Sequence, residues 1–353
     1  MFQEFLEKYQ IKDKKIAIAV SGGADSLALL LTAFEELKPL GYQIVALTVD
    51  HQLRPNSSKE ALYVANIAKK HHIEHHILVW NEKKPLTGIE EAARNARYQL
   101  IGDWCKQNKV SCVMVAHHLF DQAETFLMRL ERGSGLDGLC GMFEVSQRKN
   151  IKILRPLLNT HPDELKNFLT SHQILWIEDE TNSDTNMLRN RMRQFLPILQ
   201  EKTGITPQKI VQTMKCLQNT KLCLDQKVEK LIKNHFKNWN NQAYSCSKQF
   251  FLGQDDEIKY RIVSKLIKDI SGSSYTPEAE KTLNLIKKTE SADFKSATLG
   301  HCQILLYQQN LWFLPEKIDM GIYTQKLWKE FIIKNPDLKR CKLPVKIRYI
   351  LLN

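Results

Sequence analysis

"AVSGGADSLALLL", residues 19–31, joins an apolar run to an apolar helix through two glycines, with an aspartate in the first helical turn. Backbone N–H groups at such a helix start, together with the positive end of its dipole, form an anion site. A GxxxxGK loop would place a lysine beside the β- and γ-phosphates of a nucleotide, but no cation stands there in this sequence. A carboxylate is repelled by phosphate unless a divalent cation lies between them. Asp25 therefore reads either as an Mg²⁺-directed ligand or as a helix cap turned toward backbone amides. Both roles suit a site that holds the β,γ end of ATP as a pyrophosphate leaving group and frees the α-phosphorus for attack. Ser21, Gly22, Gly23, Ala24, Asp25 and Ser26 are the expected ATP-binding residues.

Outward from this turn, short apolar runs alternate with amphipathic stretches. IAIAV (16–20), IVALTVD (44–50), HILVW (76–80) and CVMVA (112–116) read as strands, and 25–37, 57–71 and 89–107 as helices. Apolar strands without alternation, separated by helices, predict an α/β fold with a doubly wound parallel sheet, whose ligands bind beyond the carboxyl ends of the strands. Asp50, ending the second run, is placed to meet a ribose or adenine edge. An Asx turn leaving the strand is the competing role.

Three further groups carry charge toward the same edge. AARNARY (92–98) sets Arg94 and Arg97 three apart on one helix face, where guanidiniums could neutralise an α-phosphate. In HHLFDQAETFLMRLERGSGLDGLCGM (117–142), His117, Asp121 and Glu124 fall on one face if the helix includes all three. Such a set could hold Mg²⁺ against ATP or orient a nucleophile, which makes Asp121 and His117, with Arg97, catalytic candidates and Asp25, Asp121 and Glu124 metal candidates. The glycines that follow suggest a loop able to close over substrate. WIEDETNSDTNMLRNRMR (176–193) carries Asn182, Arg189, Asn190, Arg191 and Arg193, and Arg94, Arg189 and Arg193 are expected to contact phosphates of ATP or RNA. The HHIEHH run at 71–76 is a poor metal candidate, because it passes from a helix end into a strand and loses the i,i+4 spacing.

Charge is uneven along the 353 residues. Residues 1–200 hold 25 Lys+Arg against 24 Asp+Glu, whereas 201–353 hold 26 against 15. A basic second part predicts a grip on an anionic polymer from that side. The eight cysteines never form CxxC, which argues against paired metal sites or a disulfide framework and fits a reducing cytoplasm. No apolar stretch is long enough to span a bilayer, so no membrane partner is expected.

The SGGxDS pattern after a first strand resembles the PP-loop ATP pyrophosphatases. Taken in order with VDHQLRPNS (49–57), AARNARY, the 117–142 block, RPLL (155–158) and the arginine cluster, it resembles the tRNA(Ile)-lysidine synthase family over roughly residues 14–200. The resemblance implies a Rossmann-like PP-loop ATPase domain over 1–205, a mainly helical tRNA-binding domain over 206–315 and a short basic segment over 316–353. It also implies an ATP- and Mg²⁺-dependent ligase in the cytoplasm. That enzyme adenylates the wobble cytidine of the CAU-anticodon isoleucine tRNA and then joins L-lysine to its C2, releasing AMP and pyrophosphate. Base thiolation by another PP-loop enzyme and catalytically silent RNA binding are the competing readings. The sequence leaves the oligomeric state open, a homodimer included.

Overall fold

A computed structural model describes residues 1–54, 56–148, 151–178, 187–239, 243–272, 277–316 and 347. The chain divides into two compact units, Met1–Asn219 and Thr220–Asn353.

The first unit is built on a six-stranded sheet: β1 (Lys15–Ala19), β2 (Gln43–Asp50), β3 (Glu74–Val79), β4 (Cys112–Met114), β5 (Val145–Arg148) and β6 (Ile151–Leu154), in the order β3-β2-β1-β4-β6-β5. The pairs β1–β2, β2–β3, β1–β4 and β4–β6 are parallel, and β5 runs antiparallel to β6 at the edge. The strands read as continuous apolar runs because both faces are covered. Ile16, Ile18, Ile44, Ala46, Cys112 and Met114 face the core shared with α1 (Phe2–Lys8), α2 (Ala24–Leu37), α3 (Ser57–Lys70) and α7 (Pro162–Ser171). The intervening Ala17, Val45, Leu47 and Val113 face Tyr98, Ile101, Trp104 and Cys105 of α4 (Ile89–Gln107). This is the expected doubly wound arrangement, with its switch point between β1 and β4.

Beyond the sheet, α5 (Leu119–Glu131), α6 (Leu136–Leu139) and α8 (Leu188–Thr203) precede α9 (Pro207–His235). Leu119, Ala123, Leu196, Ile210, Val211 and Met214 form a separate small core. The boundary between units thus falls inside α9, not before it at residue 205, because the first turns of α9 pack on the first unit.

The glycine-rich stretch after α5 is fastened rather than loose. Gln122 Nε2 donates to the Met142 carbonyl at 2.7 Å, and Met142 N donates to Gln122 Oε1 at 2.9 Å. Gln218 Nε2 donates to the Cys140 carbonyl at 2.7 Å. Gly141 sits at φ +63°, and a Cβ there would lie 1.9 Å from Met214 Cε and 2.9 Å from Gln122 Oε1. Gly141→Ala is expected to cost about 2 kcal/mol in denaturant melts, from left-handed strain plus displaced packing.

The second unit holds a five-stranded sheet in the order β7-β8-β11-β10-β9, from β7 (Lys237–Trp239), β8 (Ala243–Ser247), β9 (Ser296–Leu299), β10 (Cys302–Tyr307) and β11 (Asn310–Pro315). Helices α10 (Lys248–Leu252), α11 (Asp256–Ser271) and α12 (Ala279–Glu290) accompany it, and Ile262, Leu266, Leu285, Ile304 and Phe313 share its core. Among the described residues helices are the larger share, and β9, β10 and β11 pair antiparallel within the sheet. Most of the 316–353 segment lies outside the described residues. Among the described residues no helix is long and apolar enough to cross a membrane.

Candidate active site

The turn from β1 into α2 is shaped by two features of its own sequence. Gly22 takes φ +90°, and a Cβ there would come within 2.8 Å of Ile177 Cδ1, while its carbonyl accepts from Ile177 N at 2.9 Å. Ser26 braces the turn from inside: its Oγ accepts from Ser21 N at 3.1 Å and donates to the Gly23 carbonyl at 3.0 Å. The Ser26 hydroxyl proton is thereby committed, so Ser26 shapes the turn instead of adding a phosphate donor. Gly23 is the N-cap of α2, and Ala24 and Asp25 open the helix, leaving their N–H groups free for an anion.

A cavity of about 370 Å³ lies over this turn, bounded by Ser21, Gly23 and Asp25, by Thr48 and His51 at the end of β2, by Arg97 and Tyr98 of α4, and by Ala116 and His117 beyond β4. Its place at the carboxyl ends of β1, β2 and β4 is where an open α/β sheet binds ligands, and its volume suits a small molecule. Of the two arginines on α4, Arg97 lines the cavity, with NH2 at 3.5 Å from His51 Nε2, whereas Arg94 lies over the Tyr98 ring. Burial lowers the Arg97 pKa, although the side chain keeps an open surface toward the cavity.

Asp50 does not present its carboxylate to this space. Oδ1 accepts from Gln52 N at 2.9 Å and Oδ2 from Ser58 Oγ at 2.7 Å, which is the Asx-turn role. Burial works against the charge, but these bonds win and hold the Asp50 pKa below its ordinary value. Its effect on the cavity is indirect, through the placing of His51.

The face expected from His117, Asp121 and Glu124 is rearranged, because α5 begins at Leu119 and His118 is its N-cap. His118 Nδ1 accepts from Phe120 N, and Asp121 Oδ2 accepts from His118 N at 2.9 Å, a capping box made with histidine. His117, before the cap, lines the cavity with its Nδ1 buried and unpartnered. His118 Nε2 instead reaches Asp25 Oδ2 at 3.5 Å and Asp121 Oδ2 at 3.7 Å. Burial opposes a charge on His118, but Asp25, Asp121 and Glu124 outweigh it and raise its pKa.

Asp121 and Glu124 are taken by arginines. Arg189 NH2 donates to Asp121 Oδ1 at 2.6 Å and its Nε to Glu124 Oε2 at 2.7 Å, while Arg193 Nε donates to Glu124 Oε1 at 2.7 Å. This corrects two expectations at once. Arg189 and Arg193 are held by carboxylates rather than left for phosphate or RNA, and Asp25, Asp121 and Glu124 do not form a three-ligand metal set. Among the described residues no group of three or more His, Cys, Asp or Glu is placed to hold a metal ion. Two carboxylates line the cavity: Asp25, with its side chain 39% exposed, and Glu60, which Arg54 pairs at 3.6 Å. Asn190 is buried and Asn182 lies outside the described residues. His118, which joins Asp25 to Asp121, is the side chain the sequence reading passed over; its signal is a polar residue three before an acid at a helix start.

The histidines have a measurable consequence. Burial pushes the pKa values of His51 and His75 down to about 4 and of His117 to about 3, so all three are neutral in the fold. The unfolded chain binds protons as pH falls below 6.5, the ordinary histidine value, while the fold does not until pH nears 4, so stability drops across that window. The thermal midpoint is expected to fall by about 3 °C or more from pH 7 to pH 5. His75→Gln, which can keep the 2.9 Å bond to Thr48 Oγ1, should flatten the profile.

A glycine turn without lysine, at the switch point of a parallel sheet and carrying an exposed aspartate in its first helical turn, defines a PP-loop nucleotide-binding domain, and the PP-loop domain family matches residues 1–199. The chain belongs to the tRNA(Ile)-lysidine synthase family. It is 35% identical over 327 residues to the tRNA(Ile)-lysidine synthase of Wolbachia pipientis wMel, covering 90% of this chain and 74% of that relative. The tRNA(Ile)-lysidine synthase of Rickettsia bellii (strain OSU 85-389) is 32% identical over 351 residues, 93% of this chain and 77% of the relative. That of a Bradyrhizobium strain is 44% identical over 186 residues, 52% of each. Among solved structures, the U34-tRNA thiolase NcsA of Methanococcus maripaludis superposes with a TM-score of 0.52 at 16% identity, covering 61% of this chain and 79% of that one, a likeness of fold.

Proposed function

We propose that this chain joins L-lysine to C2 of the wobble cytidine, position 34, of the isoleucine tRNA with a CAU anticodon, consuming ATP and releasing AMP and pyrophosphate. One observation carries the reading: similarity to tRNA(Ile)-lysidine synthases covers 90% of the chain, well past the PP-loop domain that other enzymes share. The cytidine C2 oxygen attacks the α-phosphorus, and the bond to the bridging oxygen breaks as pyrophosphate leaves. The lysine ε-amine then forms a bond to C2, AMP departs with the oxygen, and the amine gives up its proton.

The residues fit these steps unevenly. The N–H groups of the glycine turn hold the pyrophosphate end, and Arg97 faces the charge that develops at the α-phosphate. Mg²⁺ fits at Asp25, since this ion is commonly held by one or two carboxylates plus substrate phosphates, and it would neutralise the phosphate oxygens there. Asp121 and Glu124 act by holding Arg189 and Arg193, and Asp121 by setting the His118 cap. Neutral His117 can donate or accept one hydrogen bond in the cavity. The basic second half supplies a counter-charge for tRNA, and the reaction belongs in the cytoplasm.

Base thiolation is the second reading, suggested by the fold likeness alone. It calls for a reactive cysteine pair, whereas the sequence has no CxxC, the exposed Cys216 and Cys223 stand seven apart, and burial pushes Cys105 up to about 11 and Cys112 to about 12. Incubation with ATP, radiolabelled lysine and unmodified bacterial tRNA is expected to place label in the CAU isoleucine tRNA alone. Incorporation of sulfur or ammonia, with lysine ignored, contradicts the proposal.

A further inference from the structure

Six arginines of the first unit differ in how their charge is met. Arg189 and Arg193 are balanced by Asp121 and Glu124. Among the described residues, Arg94, Arg97, Arg148 and Arg155 have no carboxylate within ion-pair distance. Glu90 and Glu91, one turn earlier on α4 than Arg94, do not pair with it.

Two of these four gather on one ring. Arg148 Cζ lies 4.1 Å and Arg94 Cζ 5.6 Å from the centroid of Tyr98. Arg148 NH2 also donates to Asn95 Oδ1 at 2.8 Å, which fixes the plane of its guanidinium. Arg155, 7% exposed, donates through NH1 to the Phe143 carbonyl and Ser146 Oγ, and its Nε is buried without a partner. Burial lowers the Arg155 pKa, and the charges of Arg94 and Arg148 lower it further. Like charges so close repel one another, and an anion relieves them. Planar guanidiniums suit phosphate oxygens in particular.

Tyr98 and Arg97 line the nucleotide cavity, but Arg94 and Arg148 do not. The triphosphate already has the glycine turn and Arg97. We propose that Arg94 and Arg148, mounted on Tyr98 at the margin of the nucleotide cavity, bind a phosphodiester of the RNA strand whose base enters that cavity. This site rests on the RNA substrate proposed above and names the part of the first unit that grips it.

The test is anisotropy binding of a CAU anticodon stem-loop RNA to the full chain across a salt series, with ATP binding measured separately without RNA. Arg94→Gln/Arg148→Gln is expected to weaken stem-loop binding by about tenfold and to reduce the salt slope by about 0.7, the value for one lost single-strand phosphate contact. ATP affinity should stay within about twofold, since neither residue lines the cavity. Arg148→Lys, which keeps the cation but loses the fork, should weaken binding less and keep the slope. The singles Arg94→Gln and Arg148→Lys, on partly exposed side chains, guard against misfolding of the double variant and are checked by thermal melts. Unchanged RNA affinity and slope overturn the proposal, as does a loss that falls on ATP instead, or a wild-type chain that binds no stem-loop. RNA binding through these arginines without lysine transfer would keep the site and overturn the ligase reading. Lysine transfer that ignores both substitutions would do the reverse.

Discussion

Asp25→Ala loses pyrophosphate release by at least about a hundredfold, the scale seen when one preorganised charge contact to a reacting phosphate is removed, while the fold survives. The two halves of this expectation come from different observations. Asp25 is the cavity carboxylate that stands on the glycine turn itself, whereas Glu60, the other one, is paired by Arg54, so the chemistry depends on Asp25. Its side chain is 39% exposed and its one close charged partner is His118 Nε2 at 3.5 Å, so little packing is lost. Removing an acid from the first turn of α2 costs about 0.3–1 kcal/mol through the helix dipole. Asp25→Asn should be nearly as inactive, because the amide keeps the shape but not the charge that offsets a cation. Pyrophosphate assays and thermal melts on the same samples decide the matter: unchanged release from a folded variant removes Asp25 from the site.

Glu124→Gln produces the largest loss of stability. Glu124 is fully buried and accepts from Arg189 Nε and Arg193 Nε, both at 2.7 Å. Removing its charge leaves two guanidiniums facing one another, and breaking such a buried pair costs about 3–5 kcal/mol. The arginine side chains are 38% and 40% exposed, so solvent screens part of this and the lower figure is expected. Urea melts should show it as a shifted midpoint with an unchanged slope. Asp121 adds a pH signature to the same network. Burial raises its pKa, but His118 and Arg189 outweigh that and hold it below the ordinary carboxylate value. A depressed carboxylate stabilises the fold above its unfolded pKa and loses that contribution as pH falls through the folded value. Asp121→Asn should therefore remove stability at neutral pH and make less difference in strong acid.

The sheet of the first unit was legible because its order is written in local composition. Buried parallel strands such as β1 and β2 need apolar residues on both faces, and α2 to α4 carry amphipathic or apolar repeats between them. β5 and β6 were missed: they are four residues each, and VSQR at the edge carries too few apolar residues to stand out. The glycine turn was legible for the same local reason, since its conformation and the Ser26 brace are set within six residues. The arginines were not. Arg189 and Arg193 meet acids 65 to 69 positions away, a pairing that no local spacing encodes, and they look the same in sequence as the unbalanced Arg94. The His117, Asp121 and Glu124 face failed on a single residue, because a histidine cap starts α5 at Leu119 and leaves His117 outside the helix.

The central claim is that the turn formed by Ser21 to Ser26 holds the β,γ end of ATP so that the α-phosphorus is the atom attacked. ATP labelled at the α-phosphate, incubated with the chain, CAU isoleucine tRNA and lysine, tests it by product identity. The label should appear as AMP, with an adenylated tRNA accumulating when lysine is withheld. Label recovered as ADP would place attack at the γ-phosphorus and contradict the account.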